Sequence, residues 1–230
     1  MVSEPLIYCA VDTADLDGAC ALAFQIAPVT GGIKLGLEFF NAHGPQGVER
    51  VLECCPEASL FLDLKFHDIP NTVAGAVRSI CSRFSPAYLN VHATGGAEMM
   101  QAAKQACGKD TKLLAVTMLT SLDEQAIQGI GYKEGLADRV LQLAQLTKAS
   151  GLGGVVCSAH EIVALRESCG GEFKLMVPGI RPAGAAQGDQ KRVMSPHEAL
   201  TKGASHLVIG RPITGADDPA KAAQGILDSI

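Results

Sequence analysis

Residues 61–70 read FLDLKFHDIP, a stretch of Leu and Phe that also carries Asp63, Lys65, His67 and Asp68. Charges in an apolar strand are costly, because a buried ion must be paired or give up its charge. Side chains alternate along a strand, so Asp63 and Lys65 point the same way. If Leu62 and Leu64 face a layer of helices, that way is inward. The acid and the amine can pair with each other, and Lys34 on a neighbouring strand offers the acid a second cation. A structural ion pair is the plain alternative. With Asp12, Lys34 and Asp68 at the same strand ends, a catalytic charge cluster is the stronger reading. Pro70 confines Ile69 to extended geometry, so Asp68 projects ahead of the next helix, toward its own site or that of a neighbouring subunit. His67 faces away from Lys65 or lies in the turn, which favours an indirect or solvent role.

A second group points to phosphate. VPGIRPAGAAQGDQKR, from residue 177, is a long Gly-containing loop after one strand, and VIGRPI, from 208, ends the next. Arg181 and Arg211 offer guanidinium forks at matched strand ends, and backbone N–H groups of such loops suit phosphate oxygens. The alternative is two surface arginines beside turn glycines. The 181–194 segment, rich in Gly and Ala, reads as a mobile lid, and Gln190 on it could reach a ligand on closure. His92 ends a strand and is open to a pocket-lining role. His43, His160, His197 and His206 lack ligand-like spacing.

These residues need a scaffold that gathers strand ends. Short apolar runs begin at residues 6, 32, 60, 88, 113, 154, 174 and 206. Segments 15–27, 72–84, 97–107, 136–150 and 195–204 carry apolar residues at helical spacing, with Asp15, Asn71 and Ser195 as expected N-caps. Strands buried on both faces and alternating with helices imply a parallel sheet. Eight of them imply a closed (β/α)8 barrel, one domain over 1–230, with its site at the C-terminal strand ends. An open doubly wound sheet is the rival, but CAVDTADLDG after the first strand lacks the G-x-G-x-x-G fingerprint. The polar residues at the strand ends are Asp12, Lys34, Asp63, Lys65, Asp68, Asn90, His92, Thr117, Thr120, Ser158, Arg181, Gly210 and Arg211.

Composition narrows the classes. Apolar residues make up 47% of the 230, enough for a full core. The net charge of −5 and the absence of Lys/Arg runs argue against nucleic acid or anionic membranes as partners. The N-terminus, with an acid at position 4, does not read as a signal peptide, and no apolar run reaches the length of a membrane helix. The eight cysteines form no C-x-x-C pair, so a reduced cytoplasmic protein is expected rather than a disulfide framework or a zinc site. A redox role for the adjacent Cys54 and Cys55 is the lesser reading.

The stretch DLKFHDIPNT (63–72) resembles the signature of the orotidine 5′-phosphate decarboxylase family. So do AVD ending at Asp12, IKLGLEFF from 33, VTMLTS from 116, the 177–196 loop and VIGRPI from 208, in order over nearly the whole chain. The resemblance implies a dimeric barrel, without cofactor or metal, that removes CO2 from orotidine monophosphate to give uridine monophosphate. It further implies a charged network of Lys34, Asp63, Lys65 and Asp68, with Asp68 offered to the partner's site. Asp12 would hold the nucleotide and Lys34 would bridge to ribose. Thr120 would meet the pyrimidine, and Arg181, Gln190, Gly210 and Arg211 the phosphate. Ile69 and Thr72 would complete the pocket.

That chemistry suits the cluster. Loss of CO2 from an sp² ring carbon leaves an in-plane electron pair that the ring π-system cannot delocalise. Fixed charge in a water-poor site is the remaining lever, with Lys65 stabilising the pair and then donating a proton. Crowding of the departing carboxylate by Asp63 ranks second. Two rivals stand beside this reading: a Mg²⁺-dependent phosphosugar lyase of the hexulose-phosphate synthase type, and a barrel that only binds a nucleotide or a partner.

Overall fold

The computed structural model describes residues 4–182 and 194–230. Its first half runs β1 (Ile7–Ala10), α1 (Leu16–Thr30), β2 (Gly31–Gly36), α2 (Leu37–Cys54), β3 (Ser59–Phe66), α3 (Pro70–Phe84), β4 (Tyr88–His92) and α4 (Gly96–Ala106). Then follow β5 (Lys112–Val116), α5 (Glu124–Gly129), α6 (Leu136–Ala149), β6 (Gly154–Val156), α7 (Ile162–Cys169), β7 (Lys174–Val177), α8 (Pro196–Thr201), β8 (His206–Ile209), α9 (Arg211–Thr214) and α10 (Pro219–Leu227). Each strand pairs in parallel with the next, and β8 returns to β1, so the sheet closes into the expected eight-stranded barrel.

Alternation along the strands sorts side chains into two separate cores. Ile7, Cys9, Leu62, Leu64, Leu89 and Val91 face outward and pack with helix residues such as Ile26, Val48 and Val77. Tyr8, Ala10, Phe61, Tyr88, Leu114, Val116, Met176 and Val208 fill the barrel interior. Leu62 and Leu64 outward put Asp63 and Lys65 inward, as strand parity requires.

Helix positions follow local chemistry, with two corrections. Asn71 is not the cap of α3: the helix starts at Pro70, whose fixed φ and missing N–H suit the first turn, and Ile69 takes the cap position. Asp15 does occupy the cap position of α1 but makes no side-chain capping bond. Ser195 caps α8 by accepting from the Glu198 N–H. α1 runs past Pro28 to a left-handed stop at Gly31 (φ 71°), a conformation glycine adopts without a Cβ penalty. α2 had no clear helical signal because it breaks at Gly44 (φ 60°), ahead of Pro45. That break divides its apolar face between two short helical pieces.

The N-terminal end of the barrel is closed by aromatic rings and one acid. Tyr8 meets Tyr88 edge to face at 5.6 Å, and His206 lies 5.0 Å from Tyr88. His206, held neutral by burial, donates Nδ1–H to the Pro5 carbonyl (2.7 Å) and accepts at Nε2 from the Tyr88 hydroxyl (2.8 Å). Below them Glu4 accepts from Lys174 (2.8 Å) and from Lys112. These contacts fasten the N-terminal segment to β5 and β7, across the barrel from β1.

Burial alone would raise the Glu4 pKa, but bonds and charge from Lys112 and Lys174 outweigh it and bring it from 4.5 down to about 2. A carboxyl with a depressed folded-state pKa stabilises the fold above its unfolded pKa and loses that contribution as pH falls through the folded value. Wild-type protein is therefore expected to melt higher than Glu4→Gln at neutral pH. The gap should close between about pH 4.5 and pH 2. Melting curves across that range check it, and a constant gap would show that Glu4 acts through packing rather than charge.

Candidate active site

At the other end of the barrel three strands bring four charges together. Lys34, from β2, and Asp63, from β3, are both buried (6% and 9% exposed), so neither charge can rely on water. Lys34 Nζ lies 2.8 Å from Asp12 Oδ1 and 3.5 Å from Asp63 Oδ2. Lys65 Nζ donates to Asp63 Oδ1 at 2.6 Å. Burial would lower the Lys34 pKa, yet the charges of Asp63 and Asp12 leave it raised. Burial would likewise raise Asp63, yet Lys34, Lys65 and Asn90 hold it below the usual carboxylate range. Lys34 and Asp63 are thus both held in their charged forms, with amine and acid in alternation across the cluster.

Backbone geometry aims Lys65. Its φ of +51° lies in the left-handed region, uncommon for a residue with a side chain. The β3–β4 register shifts between Leu62 and Phe66, so the chain leaves regular pairing where Lys65 stands. Asn90 on β4, fully buried, fills the gap. Its Oδ1 accepts the Lys65 N–H (2.8 Å) and its Nδ2 donates to Asp63 Oδ1 (2.7 Å). One amide therefore holds both the strained backbone of the lysine and the carboxylate that pairs with it. Gly36 allows the other half of the cluster to close, since a Cβ there would stand 3.0 Å from both Asp12 Oδ1 and Lys34 Nζ.

Above the charges opens a cavity of about 410 Å³, a size suited to a small organic ligand. Asp12, Lys34, Asp63 and Lys65 line one side, and Ala10, Phe61, Val116, Met118, Val156 and Val208 form apolar walls. Thr120, Gly179, Arg181, Gly210 and Arg211 line it as well. Arg181 donates to its neighbour's carbonyl, Ile180 O, at 3.0 Å. Its pKa is lowered by burial and then by the charge of Arg211. Two guanidinium groups that repel each other in one cavity make a place where an anion relieves the repulsion.

A model of the "Orotidine 5'-phosphate decarboxylase / HUMPS family" matches residues 5–226. The chain belongs to that family. A relative from Rhodospirillum rubrum named orotidine 5'-phosphate decarboxylase is 50% identical, with 100% of this chain and 95% of the relative covered. One of the same name from Erythrobacter litoralis is 49% identical, with 98% of each covered. Among solved structures, the orotidine 5'-phosphate decarboxylase of Lactobacillus acidophilus superposes with a TM-score of 0.85 at 33% identity, over 98% of each chain.

Of the site residues expected for this family, Asp12, Lys34, Asp63, Lys65, Thr120, Arg181, Gly210 and Arg211 all line the one cavity. Asp68, Ile69 and Thr72 do not: they are exposed beyond β3, and Asp68 Oδ1 accepts the Ile69 N–H at 2.6 Å. Gln190 and most of the 181–194 segment lie outside the described residues. His92 is half-buried against His67, ring centres 5.5 Å apart, and does not line the cavity. Thr117 donates to the Val156 carbonyl and Ser158 caps a short turn, so both serve the scaffold. Strand-end position marks Asn90 as polar, but its clamp on two neighbours depends on the β3–β4 register. Among the described residues no group of three or more His, Cys, Asp or Glu is placed to hold a metal ion.

Removing the Asn90 amide leaves a buried N–H and a buried carboxylate oxygen each short of a partner. Asn90→Ala should therefore cost about 1–3 kcal/mol in unfolding free energy. It should also lower kcat more than it raises KM, because Lys65 loses its aim. Denaturant titration and steady-state kinetics check the two effects. An unchanged kcat in a destabilised variant would reduce Asn90 to a structural role.

Proposed function

We propose that this chain decarboxylates orotidine 5′-monophosphate to uridine 5′-monophosphate, with Lys65 as the group that meets the reacting carbon. The observation that carries this reading is that the Lys65–Asp63–Lys34 ion cluster and the Arg181–Arg211 pair line the same cavity. Two sets of cations in an apolar-walled pocket suit a nucleotide with a reacting carboxylate on its base and a phosphate on its ribose. The full-length resemblance to relatives named for this reaction supports the same substrate. It also favours the decarboxylase over the phosphosugar lyase reading.

The cluster supplies the chemistry directly. As the C–C bond to the carboxylate breaks, CO2 leaves and its bonding pair stays on C6 of the ring, in the ring plane. Lys65 ammonium, directed by Asp63, stabilises that pair and transfers a proton to it, forming the C–H bond of the product. The neutral amine then recovers a proton from solvent. Lys34, held charged by Asp63 and Asp12, keeps the acid ionised and would bridge to the ribose. These steps call for no cofactor. Arg181, Gly210, Arg211 and, once its loop is in place, Gln190 would hold the phosphate. Binding energy from that remote group is available for closing the site. Thr120 would meet the pyrimidine.

Asp68, Ile69 and Thr72 then belong to the site of a second copy in a homodimer. Ile69 is 67% exposed, and Leu37 and Leu119 are exposed at the same strand ends, a group of apolar side chains suited to burial against another subunit. Eight free cysteines, and no helix among the described residues long and apolar enough to cross a membrane, support a reducing, cytoplasmic setting.

Two experiments test the assignment. Adding orotidine monophosphate should produce the absorbance loss of pyrimidine decarboxylation. Lys65→Ala should lower that rate by at least about a hundredfold, the scale for loss of one preorganised charge, while still binding uridine monophosphate. Near-normal turnover would remove Lys65 from its role. For the dimer, mixing inactive Lys65→Ala and Asp68→Ala proteins should restore activity, because half of the sites in heterodimers would carry both groups intact. No recovery would mean that each site is built from one chain.

A further inference from the structure

Two cysteines outside the active site sit together at the far ends of α3 and α4. Cys81 lies in the last turn of α3, and Cys107 is the residue that ends α4. Their Sγ atoms are 3.8 Å apart, both half-buried, and both are free thiols. The remaining gap to a disulfide bond of about 2 Å is within reach of side-chain rotation. Cys107 has left the helix (φ −78°, ψ 135°) and starts the short connection to β5, its N–H still bonded to the Lys104 carbonyl at 3.2 Å.

The surroundings of the two sulfurs differ. Cys81 has the Cys107 thiol beside it, and that contact, the largest cause, outweighs its burial. Its pKa falls from 9.0 to about 6. The Cys107 thiol also lies 3.5 Å from the Thr111 carbonyl, an acceptor that stabilises no thiolate there. The Cys107 thiol is pushed the other way by the neighbouring sulfur and by burial. The other close thiol group, Cys20 with Cys54, differs in kind. Both of its sulfurs point to the Arg50 carbonyl, which stabilises no thiolate, and Cys20 is pushed up to about 11.

We propose that Cys81 and Cys107 form a peroxide-reactive pair, with Cys81 as the attacking thiolate and Cys107 as the resolving thiol, and that their product is a reversible disulfide joining α3 to the α4–β5 connection. The co-reactant is a hydroperoxide. Cys81 Sγ attacks one peroxide oxygen: the S–O bond forms, the O–O bond breaks, and hydroxide leaves, giving a sulfenic acid. Cys107 then gives up its proton and attacks Cys81 Sγ: the S–S bond forms, the S–O bond breaks, and the second oxygen leaves as water. Two thiols are oxidised, one peroxide is reduced to two waters, and an external thiol reverses the product. The pair stands at the C-terminal ends of its helices, the end of the barrel opposite the catalytic charges, so the bridge should leave turnover within about twofold of the reduced enzyme.

Peptide mapping of the full-length protein tests this. After one equivalent of hydrogen peroxide, trypsin should release peptide 79–83 linked to peptide 105–109, and dithiothreitol should separate them. Cys107→Ser should give no link and should instead carry a dimedone-reactive sulfenic acid on Cys81. The wild-type map needs no variant to fold, so the proposal can fail on it alone. First oxidation at Cys20, Cys54 or Cys55, a link between two chains, or sulfinic acid on Cys81 without a bridge would each overturn it.

Discussion

The site depends on keeping two lysines and an aspartate charged where water is scarce. An isolated buried ion would neutralise, and a single buried pair often gains little over apolar packing. Here Asp63 and Lys34 each have more than one opposite or hydrogen-bonding partner. Asp63 is approached by Lys34, Lys65 and Asn90, and Lys34 by Asp63 and Asp12. Loss of any member leaves the others uncompensated, so the cluster acts as one unit. The same arrangement that makes it costly to dismantle holds the Lys65 amine fixed at the side of the cavity.

Much of the surrounding structure provides rigidity for that unit. The outer core packs the helices on the strands, and the inner core fills the lower barrel with Phe61, Tyr88 and Met176. The aromatic floor and the Glu4 ion pairs tie strands that lie far apart around the barrel. Strand positions are thereby set well below the cluster. The left-handed Lys65, beside a register shift in β3–β4, falls where the lysine must turn toward Asp63. Asn90 compensates that irregularity. Backbone strain and its compensation thus meet at the same side chain.

The arginine pair of the cavity works on a different principle. Arg181 and Arg211 lie close enough for the charge of one to be felt by the other, an arrangement favourable to an anion. That attraction and a directed amine give the pocket a polarity that apolar walls alone would lack. A phosphate is a suitable anchor because it offers three oxygens to several donors and lies remote from the reacting carbon.

Sequence alone determined the layers and the cast. Period-two alternation put Asp63 and Lys65 on one face, eight apolar runs with intervening helices implied closure, and position at strand ends collected Asp12, Lys34, Arg181 and Arg211. Local patterns decide these because side-chain direction along a strand is a property of the backbone itself. The start of α3 was misjudged by two residues because proline fits a first turn as well as a capping residue fits the position before it. Which groups touch was decided by the tertiary structure. Asn90 became a clamp through the β3–β4 register shift, His92 turned to His67 instead of the cavity, and Glu4 closed the floor through lysines over a hundred residues away. Such contacts depend on how strands slide past one another on closing the barrel, a quantity set by the whole sheet and recorded in no single segment.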